Sequence, residues 1–113
     1  MKYHVSYTKN RKKILKIGLI PKCNSKIHNY PERVYCFNKE INFKEYIFII
    51  YDRMDRKQFE LLSNDGFIHY DVYEVTNNDN IIWHYDSHLK DFVFTYDNIA
   101  PSKLKIIETI KVK

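Results

Sequence analysis

Residues 2–19, KYHVSYTKNRKKILKIGL, decide how the rest of the chain is read. Tyr3, Val5 and Tyr7 alternate with His4 and Ser6, the period-two pattern of a strand with one apolar face. His4 therefore points away from its large apolar neighbours, toward a second layer, a cleft or water. The residues NRKKILKIGLIPK that follow read as one short helix. Asn10 is placed to cap it, Ile14, Leu15 and Arg11 share its packing side, and Gly18 provides a left-handed residue just past its end. Pro21 prevents the helix from resuming.

Working outward, CNSKIHNYPE (residues 23–32) carries turn formers and no period, so it reads as a loop. RVYCF (33–37) is a strand with Val34 and Cys36 on one side and Tyr35 on the other. The segment YIFIIY (46–51) scans as a buried strand, but Phe43, Ile47, Ile50 and Met54 have helical spacing, which favours a helix over Phe43–Arg53. GFIHYDVYEVT is a strand alternating through Ile68, Tyr70, Val72 and Glu74. NNDN is a turn, IIWHYD and DFVFTY are short strands, DNIAP is a second turn, and KLKIIETIKVK closes the chain as a strand. No repeat or linker divides residues 1–113, so a single domain is expected. One helix pair with five or six short strands gives an α+β fold with largely antiparallel strands.

Composition narrows the function classes. Ten Tyr and seven Phe in 113 residues supply rings suited to packing and to stacking on flat ligands. The net charge of +5 admits a phosphate-bearing partner, although the basic runs RKKILK and KLKIIETIKVK read first as solvated faces. Gly18 and Gly66 are the two glycines, too far apart for a GxxxxGK or GxGxxG phosphate loop. His84, Asp86 and His88 in WHYDSHLKD suggest a metal set, but histidines at i and i+4 share a face only on a helix and their flanks read as strands, so no metal is expected. Asp52, Asp55 and Glu60 alternate with Arg53, Arg56 and Lys57 as on a solvated helix face. Cys23 and Cys36 lack metal spacing, and Cys36 has no sequence-evident base, so both thiols are expected to be inert in a reducing cytoplasm. YIFIIY is too short to cross a membrane, and a soluble cytoplasmic protein is expected.

The succession YHVSY, ILKIGLIPK, RVYCF, DVYEV and TYDNIAPSKLKII, spanning Tyr3 to Ile107, resembles the ADP-ribosyltransferase fold. The likeness is to small bacterial and phage members of the diphtheria-toxin-like His-Tyr-Glu branch. It implies an α+β fold of two small, mostly antiparallel sheets with one or two helices. It also implies NAD as substrate and a location in the host-cell cytoplasm or the virion if phage-encoded. By the same resemblance His4 hydrogen-bonds a ribose hydroxyl, Tyr35 lines the nicotinamide pocket, Tyr46 closes over the ring, and Arg33 pairs with the pyrophosphate. These residue types suit the chemistry. Breaking the nicotinamide–ribose bond leaves an oxocarbenium-like ribose, which calls for hydrogen bonds on the sugar, aromatic faces on the ring and a nearby carboxylate.

The carboxylate is where the chain departs from the pattern. Counting back from Asn98-Ile99-Ala100-Pro101 to the position of the family's Glu lands on Phe92, with Asp91 one residue off. A one-residue shift turns a strand side chain to the other face, so Asp91 serves as the catalytic acid only if a bulge re-aims it.

Three functions follow as expectations. The first is an NAD-binding protein that, if active, transfers ADP-ribose to a protein or nucleic acid acceptor. The second is an inactive module of the same fold with a structural or protein-interaction role, such as a phage virion or anti-host component. The third is a basic nucleic-acid-binding module using Tyr as stacking platforms. So much apolar and aromatic surface in a small domain also makes self-association an expectation.

Overall fold

In a computed structural model that describes residues 1–21, 33–52, 57, 60–61, 67–87 and 91–112, six strands form one antiparallel sheet in the order β4-β5-β2-β1-β3-β6. The elements are β1 (Lys2–Tyr7), α1 (Arg11–Ile17), β2 (Val34–Phe37), α2 (Phe43–Asp52), β3 (Ile68–Val75), β4 (His84–Tyr85), β5 (Phe92–Thr95) and β6 (Leu104–Val112). Short 3₁₀ turns at Thr8–Asn10 and Pro101–Lys103 precede α1 and β6. The α+β class and antiparallel pairing match the sequence reading. The expected pair of small sheets is instead one sheet, because β1 pairs with both β2 and β3 and so joins the two halves. Residues 23–32, expected as a loop, lie outside the described residues with Cys23 and His28 among them, as do Gly66 and His88.

The two halves are joined unequally. β1 pairs with β3 along its whole length, from Lys2↔Val75 to Tyr7↔Tyr70, but meets β2 only at Tyr3↔Phe37. Beyond that pair β1 leaves β2, while β2 continues on β5 from Phe37↔Phe92 to Val34↔Thr95. The sheet is therefore split between β1 and β2, and the split positions the candidate site.

Both faces of the sheet are covered at β3, which explains why that strand is buried almost end to end rather than alternating. On one face Phe43 and Ile47 of α2 pack onto Tyr3, Phe37, Tyr70 and Val72. On the other, Ile14 of α1 packs with Leu19, Cys36, Tyr73, Val93 and Ile99. α2 starts where Asn42 accepts the Glu45 backbone amide through its side-chain oxygen at 3.1 Å, an N-cap of the usual kind. Side chains of α2 beyond Phe48 lie outside the described set, so Ile50 and Met54 are not placed.

α1 departs from its expected details. Leu15 is exposed, because a helix of two turns inserts a single residue, Ile14, and the next lies about 100° further round. Asn10 makes no cap bond; the preceding 3₁₀ turn holds it at φ −90°, ψ −3°, whereas a capping residue needs extended backbone. Gly18 behaves as expected, with φ +82° and its amide donating to the Ile14 carbonyl at 2.7 Å. It delivers Leu19 into a two-bond bridge with Ile99, both bonds 2.9 Å. The IGL and NIAP segments thus meet in space. Among the described residues no helix is long and apolar enough to cross a membrane.

Candidate functional site

Where β1 and β2 part, a cleft of about 540 Å³ opens. Its lining comes from β1 and the turn after it (His4, Val5, Ser6, Tyr7, Asn10), from β2 (Tyr35, Phe37), from α2 (Tyr46), from β3 (Tyr70) and from β5 (Phe92). The location follows from the pairing. A strand edge that has left its ladder exposes backbone groups and alternate side chains that a continuous sheet would cover.

His4 stands at the fork. Its Nδ1 lies 2.7 Å from the carbonyl oxygen of Tyr35, and since a carbonyl only accepts, the Nδ1–H donates. In the neutral ring this leaves Nε2 as an acceptor. Burial of the half-buried ring lowers its pKa, opposed by the bond to Tyr35, with a net shift below the ordinary histidine value. The imidazole is therefore neutral at neutral pH. It presents a lone pair from a ring whose orientation the β2 backbone holds.

The aromatic walls are built by packing. Phe37 lies 4.4 Å, centroid to centroid, from Phe92 and 4.8 Å edge-on to Tyr46. Tyr46 is half-buried, and burial raises its phenol pKa. Tyr7 and Tyr70 lie 5.0 Å apart at the other end; burial foremost, with Tyr7 beside it, pushes the Tyr70 phenol up.

The cleft brings together three of the five residues singled out from the sequence: His4, Tyr35 and Tyr46. Arg33 adjoins it without lining it. Its guanidinium lies 4.1 Å from the Phe94 ring centroid and 5.7 Å from that of Tyr96, and Nη1 donates to the Tyr35 hydroxyl at 3.2 Å. Asp91 does not line the cleft. It sits in the left-handed region at φ +70° just before β5, its carboxylate 3.4 Å from the Lys39 ammonium and its carbonyl accepting the Asn38 amide at 2.7 Å. Phe92, at the position counted for the acid, does line the cleft, and no described lining residue is acidic. No group of three His, Cys, Asp or Glu among the described residues is placed to hold a metal.

The sequence reading missed three residues. Tyr7 and Tyr70 are paired neighbours across β1 and β3, and their register was not legible before the strands were paired. Asp71 was missed although an aspartate inside an apolar strand is itself a signal. Fully buried, it accepts from Arg11 Nε and Nη2 at 2.9 and 2.7 Å and from the hydroxyls of Thr8 and Thr109 at 3.0 and 2.9 Å. This network ties the turn beside the cleft and α1 to β3 and β6.

Comparison of the chain with protein-family models, with curated proteins and with solved structures returns no match.

Proposed function

We propose that this chain binds NAD, or a nucleotide of the same build, in the cleft between β1 and β2, and that its fold is of the ADP-ribosyltransferase type. One observation carries the reading: His4, Tyr35 and Tyr46, distant in sequence, line a single cleft, and His4 is held neutral with its Nδ1–H given to the Tyr35 carbonyl, which leaves Nε2 as the ring's acceptor. A neutral imidazole acceptor suits a ribose hydroxyl, and the Phe37, Tyr46 and Phe92 rings suit a flat heteroaromatic ring. The volume lies within the range of small-molecule and cofactor sites.

Phe92 favours recognition over turnover. A ribosyl cation forming in this cleft would meet a phenyl ring where the resemblance expects a carboxylate, and an aromatic face stabilises such a charge far less than an anion at hydrogen-bonding distance. We therefore favour a module that holds the nucleotide without rapid cleavage. It would serve a structural or protein-interaction role, such as a phage virion or anti-host component. Transfer of ADP-ribose to an acceptor is the reading to be tested against it.

The experiment is a calorimetric titration with NAD, followed by assay for released nicotinamide, on the wild type and on His4→Ala. The expected result is binding by the wild type, about fivefold weaker binding by the variant from loss of one hydrogen bond, and no release. Absence of binding by the wild type overturns the reading. Release on mixing establishes the transferase or glycohydrolase alternative.

A further inference from the structure

Beside the cleft, β2, β5 and β4 present a second feature that shares only Tyr35 with it. Arg33, Tyr35, Phe94, Tyr96 and His84 share one face of the sheet in mutual contact. His84 stacks on Phe94 at 5.3 Å and 22°, and Tyr96 stands edge-on to both, 5.3 and 5.6 Å away. Tyr35 is 5.7 Å from Phe94. Tyr35 is 38% and Tyr96 48% exposed, and His84 is also exposed, so this shelf meets solvent.

The charge on the shelf is equally specific. The Arg33 guanidinium lies over Phe94 and Tyr96, bonds the Tyr35 hydroxyl, and has no carboxylate within ion-pair distance among the described residues. Asp97, just beyond Tyr96, is turned to accept the Ile82 amide at 3.3 Å. A cation held among exposed rings, with no counter-ion among the described residues, fits a ligand that brings both an anion and a flat face. Adjacent strands of an antiparallel sheet carrying such rings are a stacking platform for unpaired bases, with the cation meeting the backbone phosphate.

We propose that this shelf binds single-stranded nucleic acid, bases stacking on Tyr35, Tyr96 and His84 and a phosphate meeting Arg33. The chain's net charge of +5 assists the encounter. Binding at the shelf stands by itself. That the strand would lie beside the cleft as its acceptor, through the shared Tyr35, rests on the nucleotide reading above.

The test is fluorescence anisotropy with an end-labelled oligodeoxythymidylate and an oligouridylate, at low and physiological salt. The expected result is binding that weakens about tenfold in Tyr96→Ala and is retained in Tyr96→Phe, which keeps the ring. In Arg33→Gln the salt dependence of log K falls by about one phosphate contact. No binding by the wild type overturns the proposal, as does binding that ignores both Tyr96→Ala and Arg33→Gln. Concentration-dependent self-association that excludes the oligonucleotide also overturns it, marking the face as a protein interface. NAD titrations of His84→Ala and His4→Ala separate the two sites. Nucleotide binding weakened in His4→Ala with oligonucleotide binding unchanged confirms separate sites, whereas absent NAD binding by the wild type with intact oligonucleotide binding defeats the cleft reading alone.

Discussion

His4 donates from Nδ1 to the carbonyl oxygen of Tyr35 at 2.7 Å, one residue beyond Tyr3↔Phe37, the pair that joins β1 to β2. A side chain thus bridges the strands where the backbone ladder stops. The bond sets the tautomer, and the tautomer sets what the cleft is offered.

A pH dependence follows. Burial holds the His4 pKa below its unfolded value, so the fold binds this proton less readily than the unfolded chain does. Stability should be flat above the ordinary histidine range and decline as pH falls below about 6.5. Cleft occupancy should hold to lower pH and decline only as His4 protonates in the folded protein, below that range. Calorimetric NAD affinity measured through this window should fall on acidification in the wild type. In His4→Gln, which does not titrate, it should stay level.

Asp71 makes a second titration visible at lower pH. Burial, the largest single influence, raises its pKa, but the bonds from Arg11, Thr109 and Thr8 together outweigh it and hold the carboxyl below its usual value. Its contribution is complete above the unfolded aspartate range, about 3.9, and is lost as pH falls through the lower folded value. Asp71→Asn should cost about 3 kcal/mol in urea unfolding, the low end for breaking a buried pair, since the Arg11 side chain is 41% exposed. The variant's acid limb should also be shallower than that of the wild type.

Gly18→Ala should lower the melting temperature by several degrees. The φ of +82° disfavours any Cβ, costing more than about 1 kcal/mol, and a Cβ here would overlap the backbone carbonyl of Ile99. The strain falls on the Leu19–Ile99 bridge, so hydrogen exchange should accelerate first at those two amides.

Cys36 should resist thiol reagents. It is 1% exposed, and burial pushes its thiol up to about 12, against a small opposing influence of Lys2. In a Cys23→Ser background, Ellman's reagent at mildly alkaline pH should leave the folded protein untouched and label it fully in denaturant. Rapid labelling of the folded protein would refute the placement.

Phe92→Glu tests whether one side chain separates recognition from turnover. The substitution removes a ring packed on Phe37 and should cost about 3 kcal/mol. It would also put a carboxylate in the cleft lining. Slow nicotinamide release from NAD in the variant, absent in the wild type, is the expected outcome. Equal silence in a variant that still binds NAD would show that more than the acid is missing.

Local pattern in the sequence determined the elements of this protein. Period-two alternation marked β1, β2 and the long β3, helical spacing resolved YIFIIY in favour of α2, and Gly18 followed by Pro21 ended α1. Each depends on residues within a few positions of one another, where sterics and side-chain direction act directly. The grouping of His4, Tyr35 and Tyr46 was anticipated through the family resemblance rather than from periodicity. Tertiary structure alone decided that β1 would follow β3 fully and touch β2 once, that Tyr7 would meet Tyr70, that Asp71 would be buried against Arg11, and that Asp91 would turn to Lys39 while Phe92 lined the cleft. Those outcomes turn on strand register. Register is chosen by the sum of pairings across the whole sheet, and a shift of one residue exchanges the face on which every side chain lies.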